Sequence, residues 1–314
     1  MRAAGVLMAM LAATAGAEIR VGIIGTDTSH VPAFTKSLND KSAPDYVPGA
    51  RVVAAYKGGS PDMPASANRV DKFAEEIRTK YGVEIVPDIA TLLSRVDAVL
   101  LESVDGRAHL AQAREVIAAG KPLFIDKPLA GSLEDARAIA ALAKRAGVAW
   151  FSTSSLRYAD FLPPLKTPVP EGAVTWGPGP LDSLLDLELA WYAIHPIEML
   201  YALMGPGCVE VSRTTAESGD VITGRWKDGR LGTVRAVRPG SGYGAVVFRD
   251  GKAVQSESRG GPGYVALVRE IVKFFETKVP PVSNEETLEI FAFMEAAQRS
   301  KTAGGRPVQV RVER

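Results

Sequence analysis

Residues 19–30 read IRVGIIGTDTSH. The apolar run over 19–24 stops at Gly25 and passes into a short polar turn, the pattern of a buried strand that ends at a glycine and feeds a helix. Such a turn aims backbone N–H groups and the positive end of the helix at whatever lies above the sheet edge, which suits a phosphate. Of the dinucleotide fingerprint G-x-G-x-x-G only the first glycine stands here, as Gly25, with Asp27 and His30 at the other two places. Taken alone, the turn fits a nucleotide cradle or a plain strand-to-helix connection.

Downstream the same alternation repeats. Strands are expected at 51–56, 85–86, 97–101, 122–125 and 148–152. Helices are expected at 70–80, where Val70, Phe73, Ala74 and Ile77 share a face, and at 89–93, 109–119 and 132–145. Ser132 is placed to cap the last of these, with Asp135 in its first turn. Continuous apolar strands alternating with helices predict a parallel, doubly wound sheet, an α/β Rossmann domain over residues 18–150. Residues 151–314 read differently. A Pro- and Gly-rich connector over 161–180 and a helix over 187–204 precede strands at 209–215, 221–226, 231–237, 245–248 and 253–256. Asp228-Gly229 and Asp250-Gly251 signal hairpins, and helices at 264–275 and 285–300 close the chain. This predicts an α+β domain with an open, mainly antiparallel sheet.

With 314 residues, 46% hydrophobic and 23% charged, the chain is long enough for two packed domains. The 37 basic and 36 acidic residues leave a net charge of +1, so no global field gathers nucleic acid. One cysteine, Cys208, excludes an internal disulfide and a cysteine-rich metal site. Residues 1–17 carry Arg2, an apolar run over 3–13 and the small-x-small end Ala15-Gly16-Ala17, the form of a secretory signal peptide cut before Glu18. The expected location is the periplasm or the secreted fraction. That apolar run is shorter than the roughly 20 residues of a membrane span, and no such span is expected elsewhere.

Further motifs narrow the reading: His109 opening a helix, Gly120-Lys121-Pro122, Asp126-Lys127-Pro128, the helix containing His195, and the closing run from Pro281 to Val308. In order and spacing these resemble the glucose-fructose oxidoreductase, inositol dehydrogenase and rhizopine-catabolism family over essentially the whole chain after residue 17. The resemblance implies a Rossmann domain followed by a domain whose open sheet mediates homodimers or homotetramers. It also implies a sugar or polyol substrate and NAD or NADP as cofactor, held tightly in some exported members.

On that resemblance Lys127 matches the lysine beside nicotinamide and substrate, and Pro128 the proline that shapes its turn, often through a cis bond. The family has Glu where Asp126 stands. His195 matches the histidine of D-x-G-x-H-x-x-D, which here reads Trp191-Tyr192-Ala193-Ile194-His195-Pro196-Ile197-Glu198. Lys127 and His195 are therefore the expected catalytic pair, the ammonium orienting the reacting oxygen and the imidazole taking its proton. Arg157, Trp191, Tyr192 and Glu198 are the expected substrate contacts. Gly25, Thr26, Asp27, His30, Lys57, Glu102, His109, Lys127 and Pro128 are the expected cofactor contacts, Lys57 as a partner for a 2′-phosphate or a solvated cation, and His109 against the nicotinamide ribose or as a helix cap. Asp27 puts a carboxylate where the family has a glycine near the pyrophosphate, so weaker or altered nucleotide binding is expected. No tight ligand spacing points to a metal. Two other functions stay open: a non-catalytic carbohydrate-binding or scaffold protein, and a non-redox sugar-modifying enzyme.

Overall fold

The computed structural model describes residues 17–257 and 263–313. The export segment read at residues 1–17 lies, apart from Ala17, outside them. The first layer contains β1 (Ile19–Ile24), α1 (His30–Asn39), β2 (Ala50–Tyr56), α2 (Pro64–Ala67), α3 (Val70–Tyr81), β3 (Glu84–Val86), α4 (Ile89–Leu93), β4 (Ala98–Leu101), α5 (His109–Ala118), β5 (Leu123–Asp126), α6 (Leu133–Ala146) and β6 (Trp150–Thr153). Its strands form one parallel sheet in the order β3-β2-β1-β4-β5-β6. The order reverses between β1 and β4, so the connections leaving those two strands diverge and open a crevice at their C-terminal ends. Gly25 sits at that divergence with φ +87°, where a Cβ would lie 2.4 Å from the Ser103 backbone nitrogen; the close approach of the two loops requires glycine.

The second layer holds α7 (Pro163–Lys166), β7 (Gly172–Pro178), α8 (Ile194–Met204), β8 (Cys208–Ala216), β9 (Gly219–Trp226), β10 (Leu231–Val237), β11 (Gly244–Arg249), β12 (Lys252–Glu257), α9 (Val265–Thr277), α10 (Asn284–Thr302) and β13 (Val308–Gln309). The sheet order is β12-β11-β7-β10-β9-β8-β13; β7 and β10 run parallel, and the other described pairs run antiparallel. Two sequence expectations are corrected here. The Gly- and Pro-rich stretch is no mere connector, because its second half is β7, a central strand whose Gly172 lies so close to the Leu231 carbonyl that a Cβ would meet it at 2.9 Å. The helix expected from 187 begins instead at Ile194. A longer helix would place Pro196 in its interior without an N–H to donate, whereas in the first turn that N–H has no intrahelical acceptor.

The two hairpin signals part company. Asp250 and Gly251 both adopt positive φ, 51° and 68°, and join β11 to β12 as a two-residue turn. At 228–229 only the glycine does so, in a longer loop where the Asp228 carboxylate accepts the Arg230 N–H. One face of the second sheet packs on α8 and α10 through Ile222, Trp226 and Val234, in a buried cluster continuous with Leu123, Ile125 and Trp150 of the first layer. No described helix is long and apolar enough to cross a membrane.

Candidate functional site

Lys127 follows β5 at the lip of the crevice, and its peptide bond to Pro128 is cis. His195 lies in the first turn of α8. Both line one cavity of about 230 Å³, together with Thr28, Ser29 and His30 at the start of α1 and the aromatic side chains of Trp191, Tyr192, Tyr243 and Tyr264. The cavity thus joins the parallel sheet to the second layer. His195 Nδ1 is 2.7 Å from Ser154 Oγ, which itself accepts the Leu156 N–H at 3.1 Å. In the tautomer whose Nδ1–H donates to Ser154, Nε2 keeps its lone pair and is the nitrogen able to take a proton. Burial, reinforced by the Lys127 charge, holds the His195 imidazole well below its usual range, so it stands neutral, the form a base requires. The Lys127 ammonium makes no side-chain hydrogen bond to a described residue.

Asp27 corrects the expectation of a carboxylate facing a diphosphate. It is fully buried and turned inward, where one oxygen accepts the Val104 N–H at 2.9 Å and the other the Ser66 hydroxyl at 2.6 Å. Burial pushes its carboxyl up, opposed by those two bonds. Thr26 is likewise engaged internally: its N–H donates to the Lys57 carbonyl and its hydroxyl to the Val70 carbonyl. Asp27 and Thr26 therefore fasten the β1–α1 turn to the 57–70 segment, and neither lines the cavity shared by Lys127 and His195. Lys57 sits beside a groove of about 510 Å³ at the ends of β2 and β3, with its ammonium paired to Asp71 at 2.7 Å.

His109 is also corrected. Fully buried, it neither faces the cavity nor caps α5; Nε2 lies 2.7 Å from the Ser103 carbonyl and Nδ1 3.2 Å from that of Leu129, so the ring ties the loop after β4 to the turn after Pro128. Glu102, at the end of β4, is fully buried, and neither carboxylate oxygen accepts a hydrogen bond. Burial first, then the Asp126 charge, drives its carboxyl well up. One Asp126 oxygen lies 2.7 Å from His30 Nδ1, and the other has no hydrogen-bond partner among the described residues. Burial opposes the Asp126 charge, yet the His30 and Lys127 neighbours keep its carboxyl below the usual range.

Of the expected substrate contacts, Trp191 and Tyr192 line the cavity and Arg157 and Glu198 do not. Arg157 Nε donates to Glu198 at 2.7 Å, its Nη2 pairs with Glu286 of α10 at 2.7 Å, and Thr153 donates to Glu198 at 3.1 Å. These two residues form a buried ionic tie between α8, α10 and the end of β6. Sequence reading missed Arg69, Tyr243 and Tyr264 on the cavity wall. Arg69 is exposed just before α3, and the tyrosines come from a β10–β11 connection and the start of α9; no local pattern marks any of them. A larger cavity, about 630 Å³ and walled by Arg137, Trp150 and Leu288, shares none of these residues.

Comparison with known proteins agrees with this architecture. Residues 19–154 match the model of an oxidoreductase family with an NAD-binding Rossmann fold. The inositol 2-dehydrogenase of Cereibacter sphaeroides is 34% identical over 124 residues, covering 38% of this chain and 31% of that enzyme, so the match spans about a third of the relative's length. The myo-inositol dehydrogenase of Lactobacillus casei, solved with NAD(H) and myo-inositol, superposes with a TM-score of 0.73 at 21% identity, covering 95% of this chain and 98% of that one. An oxidoreductase from Agrobacterium radiobacter, solved with NAD+, L-tartaric acid and magnesium, gives 0.72 at 17% identity over 93% and 98%. At these identities the two structures establish a shared fold.

Proposed function

From the match of residues 19–154 to an oxidoreductase family with an NAD-binding Rossmann fold, we propose that this chain belongs to the glucose-fructose oxidoreductase, inositol dehydrogenase and rhizopine-catabolism family and oxidises or reduces a CH–OH group of a sugar or polyol with NAD or NADP. The observation that carries this reading is the convergence of Lys127 and a neutral His195 on one aromatic-walled cavity. The residues present fit a dinucleotide. The Asp27 carboxylate is turned away from the crevice, while Thr28, Ser29 and Arg69 offer two hydroxyls and a guanidinium at the N-terminal end of α1, a donor set for phosphate oxygens.

In this chemistry the bound nicotinamide supplies the hydride acceptor or donor. The chain's own contribution is to hold the substrate hydroxyl between Lys127, which stabilises the oxygen, and His195 Nε2, which accepts its proton while Ser154 fixes the ring. Trp191, Tyr192 and Tyr243 line the cavity with aromatic rings, whose faces suit the C–H side of a polyol ring. Mass spectrometry of denatured protein for NAD and NADP, followed by a screen of polyols and sugars for nicotinamide reduction, tests the proposal. Absence of bound nucleotide together with no turnover under either nucleotide overturns it.

The same reading includes export and self-association. The support for export is the form of residues 1–17. Support for a homodimer or homotetramer is the outer face of the second sheet, where Val221, Leu231 and Phe248 stand 40%, 54% and 44% exposed beside half-buried Val174, Trp176 and Val246. N-terminal sequencing from the native host and light scattering on the purified chain check these two points.

A further inference from the structure

At the cavity wall, which His30 lines, three chain segments bring unlike ligands together: His30 from α1, Glu102 from the end of β4 and Asp126 from the end of β5. One ligand atom of each lies within 4.8 Å of the other two. All three residues are buried, with Glu102 at 0% and Asp126 at 1% exposure. Both Glu102 oxygens and one Asp126 oxygen accept no hydrogen bond from any described residue. Buried carboxylate oxygens of this kind are costly unless hydrogen bonds or a cation compensate them. Donors that share one cation at roughly 2.1–2.5 Å stand at most about 4.2–5.0 Å apart, so the spacing of up to 4.8 Å reaches one ion at the long end of that range, and a smaller ion draws the three donors together.

We propose that His30, Glu102 and Asp126 form a divalent-cation site at the cavity wall, with the two carboxylates and the imidazole as protein ligands. Two carboxylates balance a divalent charge in a place where they would otherwise repel each other. The mixed oxygen and nitrogen donors suit Mn²⁺ better than an all-oxygen cage for Ca²⁺ would. Such an ion ties the ends of β4 and β5 to the start of α1, the three elements that place Glu102, Lys127 and the phosphate-facing turn. This goes beyond the dehydrogenase reading and does not depend on it, because the ion is inferred from the three unpartnered carboxylate oxygens of Glu102 and Asp126 and not from turnover.

The experiment uses the whole purified chain, stripped with chelator and then titrated with Mn²⁺ alone. Calorimetry is expected to give one site per chain. Pulsed electron paramagnetic resonance of the bound Mn²⁺ is expected to show nitrogen modulation from a single imidazole, and Mn²⁺ is expected to raise the unfolding temperature. Glu102→Gln should weaken Mn²⁺ binding by about tenfold or more, while Glu75→Gln, an exposed carboxylate change on α3, should leave it unaltered. Absence of Mn²⁺ binding to the unmodified chain, absence of nitrogen modulation, or equal affinity in Glu102→Gln each overturns the proposal. The resonance readout is made on the unmodified chain, so it decides the matter even where Glu102→Gln fails to fold.

Discussion

Ser154 Oγ lies 2.7 Å from His195 Nδ1, so a residue just beyond β6 sets the orientation of a ring carried by α8. The bond spans the junction of the two sheets, and it fixes which imidazole nitrogen faces the cavity. His195→Ala and Lys127→Met are each expected to lower turnover by about 10²-fold or more, roughly 2.7 kcal/mol of transition-state stabilisation, with a smaller change in KM. Steady-state kinetics on whichever polyol proves active, beside thermal unfolding of each variant, checks this. Unchanged turnover in folded His195→Ala removes the imidazole from the chemistry.

Ser154 is a positioning residue, and its removal should leave a different signature. Ser154→Ala frees the ring to adopt the other tautomer, so kcat should fall by about tenfold while KM stays near its original value. Ser154→Thr, which keeps the hydroxyl, should recover most of the loss. Equal losses in both variants would point to packing in place of the hydrogen bond.

Asp27 carries the opposite expectation from the one its place in the glycine fingerprint suggests. Replacing it with glycine leaves the Val104 N–H and the Ser66 hydroxyl without their acceptor. Asp27→Gly should therefore cost about 2–4 kcal/mol of stability and loosen the 57–70 segment, with no gain in nucleotide affinity. Chemical denaturation and nucleotide calorimetry on the same preparation test both halves. Tighter nucleotide binding in a fully stable Asp27→Gly protein contradicts the inward geometry.

The contrast at Asp27 shows where sequence stops informing. The strand-helix alternation was legible because each apolar run and each cap, such as Ser132 accepting the Asp135 N–H, is local. Lys127 and His195 were legible as family motifs, and the cavity unites them. Asp27 was misread because its partners lie 39 and 77 positions away, and a carboxylate's direction is set by such distant donors. Arg157 and Glu198 looked like cleft residues for the same reason: they pair with each other across 41 positions, and the second partner of Arg157, Glu286, arrives only with α10. At β7, close packing against β10 requires Gly172, and glycine in a strand carries the same one-letter signal as glycine in a loop.

Glu198 should behave as a structural residue. With 3% side-chain exposure, and Arg157 at 9%, its removal leaves a buried guanidinium with Glu286 alone. Glu198→Ala is expected to cost about 3–5 kcal/mol, whereas an isosteric Glu198→Gln should cost less because it keeps an acceptor for the Arg157 Nε. Activity per folded molecule should change little in Glu198→Gln. Denaturant titration with turnover corrected for the folded fraction separates this from a substrate role, which predicts lost turnover at unchanged stability.

Two buried histidines set an acid limit on stability. Burial holds both His195 and His109 below the ordinary imidazole range, more strongly at His195. The Lys127 and His30 neighbours add to the effect at His195 and Asp126 opposes it; at His109 the Ser103 and Leu129 carbonyls and the Asp126 and Asp27 charges oppose it. In the unfolded chain both rings protonate near pH 6.5. Below that pH the unfolded state therefore binds protons that the native state does not, and acid favours unfolding. The contribution is complete above about pH 6.5 and is lost as pH falls from there toward the lowered native pKa values. Replacing His195 with Gln removes one of these two groups, so the decline in stability between about pH 6.5 and 5 should be shallower in His195→Gln than in the unmodified chain. Unfolding free energies measured at half-unit intervals across that window test the difference. An identical slope in the two proteins would show that His195 titrates alike in the folded and unfolded states, and would remove the neutral imidazole on which the proposed proton transfer depends.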